Sequence, residues 1–583
     1  MAKFNKKPYV EIQKNTDNYV GWSDIFSKIK EDVIKLDKKK VTVAIEAYQG
    51  VHYEQIEEAI REYLAPNQFI NAEASMHSEE FIKEMTRNDV TDDRIFGYLT
   101  RLNLDAYYDD AKIDATRKGI AEEAEGMTVV YGTGAVLVAE SWDIFVYADM
   151  ARWEIQMRMR RHEVDNTGVK NRGIKDWMLL YKQGFFVDWR VLDRLKRKLF
   201  DKIDYLLDTN DKDVPKMLPH TAVLEAYDIA VTRPFSIVPF FDPGPWGGQW
   251  MKEVCGLDKN QDNYAWCFNG VPEENSMLIK SGEVIVEIPS INLVFRHPRK
   301  LLGDPVHARF GDEFPIRYDF LDTMGGGHLS LQVHPLTEYI QEKFGLHYTQ
   351  DESYYMMDAK EGAHVYLGLK NDVNPEECIN DLEEAKKGEK PFDAEKHIGI
   401  WPAKKHDHFL IPAGTIHCSG ADSMVLEISA TPYIFTFKLW DWGRLGLDGL
   451  PRPINVEHGK NVIQWNRTED WTKENLINRV EKIAEGDGWV EERTGLHERE
   501  FIETRRHWFT KETHHVTGDS VNVVAVIEGD QIIVESPDSS FEPFVVNYAE
   551  VFIIPANVKK YTMRPYGEAE GKKCATMKSF VRF

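Results

Sequence analysis

From Gly327 to Pro335 the chain reads Gly-His-Leu-Ser-Leu-Gln-Val-His-Pro, and apolar and polar positions alternate through it. Leu329, Leu331 and Val333 fall on one face and Ser330, Gln332 and His334 on the other. That pattern predicts a β-strand that is apolar behind and polar in front. Short strand-like runs recur through the later part of the chain, at 284–288, 364–367, 521–530 and 549–557, with Gly and Pro between them. Many short strands with this punctuation predict jelly-roll barrels. Helical periodicity interrupts them at 336–344, at 374–387, where the charged residues are expected to face solvent, and around 475–484.

The first 225 or so residues read instead as α/β. Residues 40–45 form a short, largely apolar run of the buried parallel type, and 127–132 and 144–149 look the same. The first run leads through Glu46–Gly50 into a helix carrying Ile56, Ile60 and Tyr63. The run at 144–149 precedes a helix with Arg152, Arg158, Arg160 and Arg161, read here as a solvated basic face. Residues 185–190 open a further strand-to-helix passage that ends near 206–210. The expected fold class is multidomain: an α/β domain over 1–230, then two mostly-β units at 231–459 and 460–583. The join, near 221–234, is followed by a segment dense in Pro, Gly and aromatics. Such a composition makes an ordered connection rather than a flexible linker.

Composition narrows the function. The net charge of −24 argues against nucleic acid or an anionic membrane as a bulk partner, although a local basic pocket can still hold a small anion. No stretch approaches the roughly 18 apolar residues that span a bilayer, and the N-terminal residues lack a secretory apolar core. Five cysteines, odd in number and scattered, suggest reduced thiols and a cytoplasmic setting.

The candidate chemistry gathers around the alternating strand. Gln332 and His334, two residues apart, point to one face. Downstream stand Glu352, in a strand-like setting, and His417, after the turn Ile411-Pro412-Ala413-Gly414. One amide oxygen, two imidazoles and one carboxylate make a plausible ligand set for a divalent transition metal such as zinc. His328 lies on the same face, as a supporting partner of the ligands or a strand-end residue. His347, His364, His397, His406 and His408 read as surface or packing histidines.

The stretches Gln332-Val333-His334-Pro335, Glu352-Ser353-Tyr354-Tyr355 and Ile411–His417, in this order and spacing, resemble class I mannose-6-phosphate isomerases, which are zinc-dependent cupin enzymes. Trp246-Gly247-Gly248, Phe314-Pro315-Ile316, Leu321-Asp322, Val365–Gly368 and Leu426-Glu427 extend the resemblance over residues 235–460. It implies a metal-dependent aldose–ketose isomerase that interconverts mannose 6-phosphate and fructose 6-phosphate through an enediol. It also implies one zinc ion per chain, held by Gln332, His334, Glu352 and His417, and a phosphorylated hexose as partner, with room for a homo-oligomer. Residues 460–583 look like the second, metal-free barrel of such enzymes.

Two departures from the family pattern bear on the substrate. Lys438 stands where the family places an arginine near the reacting oxygens, and Arg444 is the second candidate cation; both are expected to be catalytic. Asp319 stands where a phosphate-binding lysine is usual. Arg317, on the same strand face, either takes over phosphate binding or pairs with Asp319 at the barrel surface. The N-terminal strand, glycine turn and helix resemble a uridine-kinase-like phosphate-loop fold, but His52-Tyr53-Glu54 stands where Gly-Lys-Ser/Thr is needed. The expectation is a kinase-like domain that has lost phosphoryl transfer and binds a ligand, pairs subunits or covers its neighbour. The degenerate loop, Asp319 and Lys438 also support an alternative, a sugar-responsive regulatory protein without catalysis.

Overall fold

The computed structural model describes residues 3–12, 17–123, 125–430, 435–449, 451–495, 497 and 499–583. The chain forms two units, one of residues 9–229 and 276–296, the other of residues 1–8, 230–275 and 297–583.

The first unit is built on a seven-stranded sheet. Lys40–Ala47 lies inside it and is flanked in parallel by Gly126–Gly132 and Ile144–Asp149. Gln68–Asn71 adds in parallel beyond the first of these, and Tyr205–Asp208 beyond the second. Every residue of Lys40–Ala47 after the first is buried, which is why this run shows no alternation in the sequence. Lys216–Pro219 and Tyr19–Val20 complete the edge in antiparallel fashion.

Two expectations for this unit are corrected. The helix Arg152–Arg160 does not present a solvated basic face: Arg152 and Arg158 are buried. Arg152 pairs with Asp193, and Arg158 donates to the carbonyls of Gly50 and Thr209 at 2.6 and 2.7 Å. Its guanidinium thereby fixes the loop that follows the first strand. Residues 184–188 are not a strand but a π-helical turn between the helices Trp177–Gln183 and Trp189–Leu199. Their aromatic density reflects packing within a helix, where Phe185 meets Phe186 and Trp189 edge-on. The expected strand at 284–288 is present as Val284–Pro289. It pairs with Ser276–Ser281, which Tyr9–Glu11 joins in parallel, and all three belong to this first unit rather than to a barrel.

The second unit holds two pairs of antiparallel sheets, consistent with cupin-like domains. In the first pair a six-stranded sheet runs in the order His408–Ile411, Glu352–Ala359, Ser423–Ser429, Arg317–Asp322, Trp266–Phe268, Phe240–Asp242. Its partner runs Ile398–Pro402, His364–Leu369, His417–Ser419, Leu331–Val333, Phe437–Trp440. In the second pair, Phe509, Val524 and Val526 of one sheet pack on Ile532, Val534, Tyr561 and Met563 of the other. The Tyr318 hydroxyl ties the two pairs together through Ser579 Oγ at 2.7 Å.

The helix expected around 475–484 lies earlier, at Glu469–Asn475, and Glu481–Gly486 is a strand. The signal for that strand is Asp487-Gly488, a hairpin turn with Gly488 at φ +81° that folds it onto Trp489–Gly495. The helix Pro375–Lys387 forms as expected, capped by Asn374 and closed by Gly388 in the left-handed region, but it buries Cys378, Leu382 and Ala385 on one side. Among the described residues no helix is long and apolar enough to cross a membrane.

Candidate metal centre

Three adjacent strands carry the site. Gln332 lies in register with His417 on one neighbour and with Lys438 on the other. Cross-strand partners share a face, so the three side chains line the same side of the sheet. His334 follows directly after this strand, and Glu352 opens a strand of the facing sheet. The turn before His417 is held from several sides. Gly414, at φ +87°, donates its N–H to the His334 carbonyl at 2.9 Å. Arg467 donates to the carbonyls of Pro412 and Ala413, each at 2.7 Å.

His334, Glu352 and His417 are fully buried, and their ligand atoms lie within 4.8 Å of one another. His334 Nδ1 meets the Phe435 carbonyl at 2.8 Å and His417 Nδ1 the Thr415 carbonyl at 2.9 Å. A carbonyl only accepts, so both Nδ1 atoms carry a proton, and in the neutral imidazole each Nε2 keeps its lone pair. Those lone pairs point at one carboxylate: His334 Nε2 is 3.0 Å from Glu352 Oε2, and His417 Nε2 is 2.9 Å from Glu352 Oε1. Acceptors facing acceptors in a dry interior repel unless a cation stands between them. His334 Nε2 and Glu352 Oε1 are buried without a hydrogen-bond partner, as a metal-ligand set requires. The Gln332 amide adds a fourth group, 3.1 Å from His417 Nε2; turning the amide over presents its oxygen there. All four expected ligands are thus brought together.

Without an ion, the same contacts are closed by a proton on Nε2, each imidazolium facing the carboxylate. Burial would raise the Glu352 carboxyl, but the two imidazoles outweigh it and hold it well below the usual range. Burial also opposes charge on both imidazoles. Glu352 outweighs burial at His334, which rises, and not at His417, which falls and also feels His334.

Beside this centre lies a second buried group, around Arg317 and Asp319. Arg317 is 1% exposed, with Nε 2.5 Å from Asp319 and Nη1 3.5 Å from Glu274. Arg317 pairs with Asp319 in the interior rather than at the barrel surface. Asp319 stands opposite Glu427 in register. Burial pushes Glu427 well up, aided by Glu352 and Asp319, and pushes Glu274 up to about 7. Glu427 was visible in sequence only through the Leu426-Glu427 match, and a lone acidic residue in an apolar run such as 423–429 was its signal. Nothing in the sequence pointed to Glu274.

The two expected cations differ in setting. Lys438 flanks Gln332 as described. Arg444 contacts Asp441 at 2.5 Å, and Arg452 reaches the other oxygen of that carboxylate at 3.0 Å. Asp441 also accepts from Ser330 Oγ at 3.0 Å, which ties this cation pair to the alternating strand. His328 stands apart from the ligands. Its Nδ1 accepts the Ala421 N–H at 3.0 Å, and its ring packs on Trp442.

Two facing antiparallel sheets, consistent with a cupin-like domain, enclose a His–Glu–His set with an amide beside it, a group able to hold a metal ion. Parts of the chain are similar to known proteins. The chain is 24% identical over 235 residues to the probable mannose-6-phosphate isomerase GmuF of Bacillus subtilis, covering 40% of this chain and 69% of that one. It is 27% identical over 220 residues to the mannose-6-phosphate isomerase of Streptococcus mutans, covering 37% of this chain and 64% of that one. The crystal structure of the Bacillus subtilis mannose 6-phosphate isomerase aligns over 60% of this chain and all of that one, with a TM-score of 0.49 and 20% identity. Residues 21–232 match a family described as a domain of unknown function, DUF8485.

Proposed function

We propose that the protein is a metal-dependent aldose–ketose isomerase that interconverts mannose 6-phosphate and fructose 6-phosphate. The observation that carries this reading is the pair of Nε2 lone pairs aimed at the two oxygens of Glu352. Two imidazoles, a carboxylate and an amide suit zinc, and the four residues amount to one ion per chain. In such a site a divalent ion supplies Lewis-acid polarisation of a carbonyl or hydroxyl oxygen. The chain's own residues do the rest. The carbonyls of Phe435 and Thr415 fix both imidazole tautomers. Lys438, in register with Gln332, brings a cation beside the ligands, where negative charge develops as the proton leaves C2 for C1. Arg444 is the second cation of this reading, held in place by Asp441.

The interior charge bears on where a phosphate would be held in this reading. Arg317 is taken up by two carboxylates, with Glu427 behind them. A phosphoryl group at that depth would meet Asp319 against the guanidinium, so we assign its recognition to the Lys438 and Arg444 side. We further read the first unit as a kinase-like fold without phosphoryl transfer. Its parallel strand order supports the fold, while Glu54 and the absence of a loop lysine at 52–54 support the loss. The composition fits a cytoplasmic setting.

Incubation with mannose 6-phosphate in D2O, followed by proton NMR, tests the reaction. The reading predicts fructose 6-phosphate together with loss of the C2 proton signal of the aldose. If the zinc-loaded protein yields neither, this reaction is excluded.

A further inference from the structure

The first unit holds a cavity that the isomerase reading leaves unused. Beside Lys40–Ala47 the strand order reverses: the chain first runs to Gln68–Asn71 on one side and later crosses to Ile144–Asp149 on the other. Open parallel sheets bind ligands at such a switch point, beyond the carboxyl ends of the strands. On the Gln68–Asn71 side of that point, beyond the carboxyl ends of the strands, the loop at 49–53, the segment after Gln68–Asn71, Thr133 and residues 163–172 enclose about 590 Å³. That volume lies within the range of small-molecule sites.

The wall carries five carboxylates, Glu54, Glu73, Glu79, Glu163 and Asp165, against two cations, Lys170 and Arg172. Three of these carboxylates have close cations: Glu79 meets Lys83 at 2.6 Å, Glu163 meets Arg161 at 2.9 Å, and Asp165 meets Arg172 at 2.9 Å. Glu54 reaches Arg172 only at 4.0 Å. Glu73 differs from all of them, having no ion-pair partner among the described residues. The Tyr53 hydroxyl donates to it at 2.9 Å. Burial, with Asp165 and Glu54 nearby, pushes the Glu73 carboxyl up to about 7 despite that bond. A cationic ligand would return it to the charged form. A phosphate would meet these carboxylates, with Arg158 already committed to the carbonyls of Gly50 and Thr209. Glu54, Glu163 and His52 can accept from hydroxyl groups along the same wall, whereas Thr133 and Asn166 are already bonded within the fold.

We propose that this cavity binds a hydroxyl-rich primary amine, the class of an amino sugar, with Glu73 receiving the ammonium group. Calorimetric titration of the full, zinc-loaded chain with D-glucosamine, D-glucose and magnesium ATP tests this. The expected result is one glucosamine per chain, bound at least tenfold more tightly than glucose, with no ATP binding. Glu73→Gln should weaken glucosamine at least tenfold, and Tyr53→Phe should weaken it by a smaller factor. His334→Ala should leave glucosamine binding unchanged, which separates this cavity from the metal centre. The proposal is overturned if glucosamine does not bind, if Glu73→Gln binds it as well as the parent, or if ATP binds in its place.

Discussion

At the scale of single residues, the centre combines groups the sequence displays with groups it hides. Gln332 and His334 were legible because period-two alternation forces them to one face, and His417 because Pro412 and Gly414 mark its turn. Arg317 was legible only as an ambiguity, since a strand pattern cannot tell a buried guanidinium from an exposed one. Its setting makes a sharp prediction. Removing the charge in Arg317→Met leaves Asp319 and Glu274 buried without their cation, and breaking such a pair costs about 3–5 kcal/mol. Urea unfolding should show that loss, and the double variant Arg317→Met/Asp319→Leu should recover part of it. A change below 1 kcal/mol in the single variant would mean that these carboxyls are protonated or hydrated rather than paired. Lys438 carries the corresponding functional prediction. Lys438→Met should lower kcat by about 100-fold, the scale of one lost charge-stabilising group, with zinc content by elemental analysis unchanged.

At the scale of elements, backbone geometry ties the ligands to their turns. A Cβ at Gly414 would lie 2.7 Å from Gln464 Cγ and 2.9 Å from the Val462 carbonyl, at φ +87°. Gly414→Ala should therefore destabilise by about 1–3 kcal/mol and weaken zinc binding by displacing His417; a competition titration with a chelator reads the second effect. In the first unit, the strand Lys40–Ala47 carries Glu46, whose carboxyl accepts N–H groups from Gly134 and Val136. Burial raises it to about 8, although these bonds and that of Ala135 pull it down. Between the unfolded value near 4.5 and about 8 the native state holds the extra proton, so this group's contribution to stability falls as pH rises through that window. Glu46→Gln should flatten that part of the stability–pH curve, and an unchanged slope would contradict the assignment. The errors of sequence reading also belong to this scale. The π-helical 184–188 and the strand Glu481–Gly486 were misread because aromatic runs and charged, sparsely apolar runs do not fix their own period. Neighbours decide it: Trp189 in one case, and the Asp487-Gly488 hairpin turn in the other.

At the scale of the whole molecule, the division into an α/β unit and a mostly-β unit was legible from the change between continuous and punctuated apolar runs. The return of residues 276–296 to the first unit was not, because a hairpin's sequence says nothing about which sheet or unit it joins. The order and spacing of the ligand stretches carried the metal centre across that boundary problem, since a site is set by a few strands and their register. The central claim is that Gln332, His334, Glu352 and His417 form a metal site that isomerises a phosphorylated hexose. The most direct measurement is a coupled assay of fructose 6-phosphate formation from mannose 6-phosphate, on zinc-reconstituted protein and on its His334→Ala variant. The account predicts turnover that requires zinc and falls by at least a thousandfold in the variant, which also loses its ion. Equal turnover by the variant, or none by the zinc-loaded parent, would contradict it.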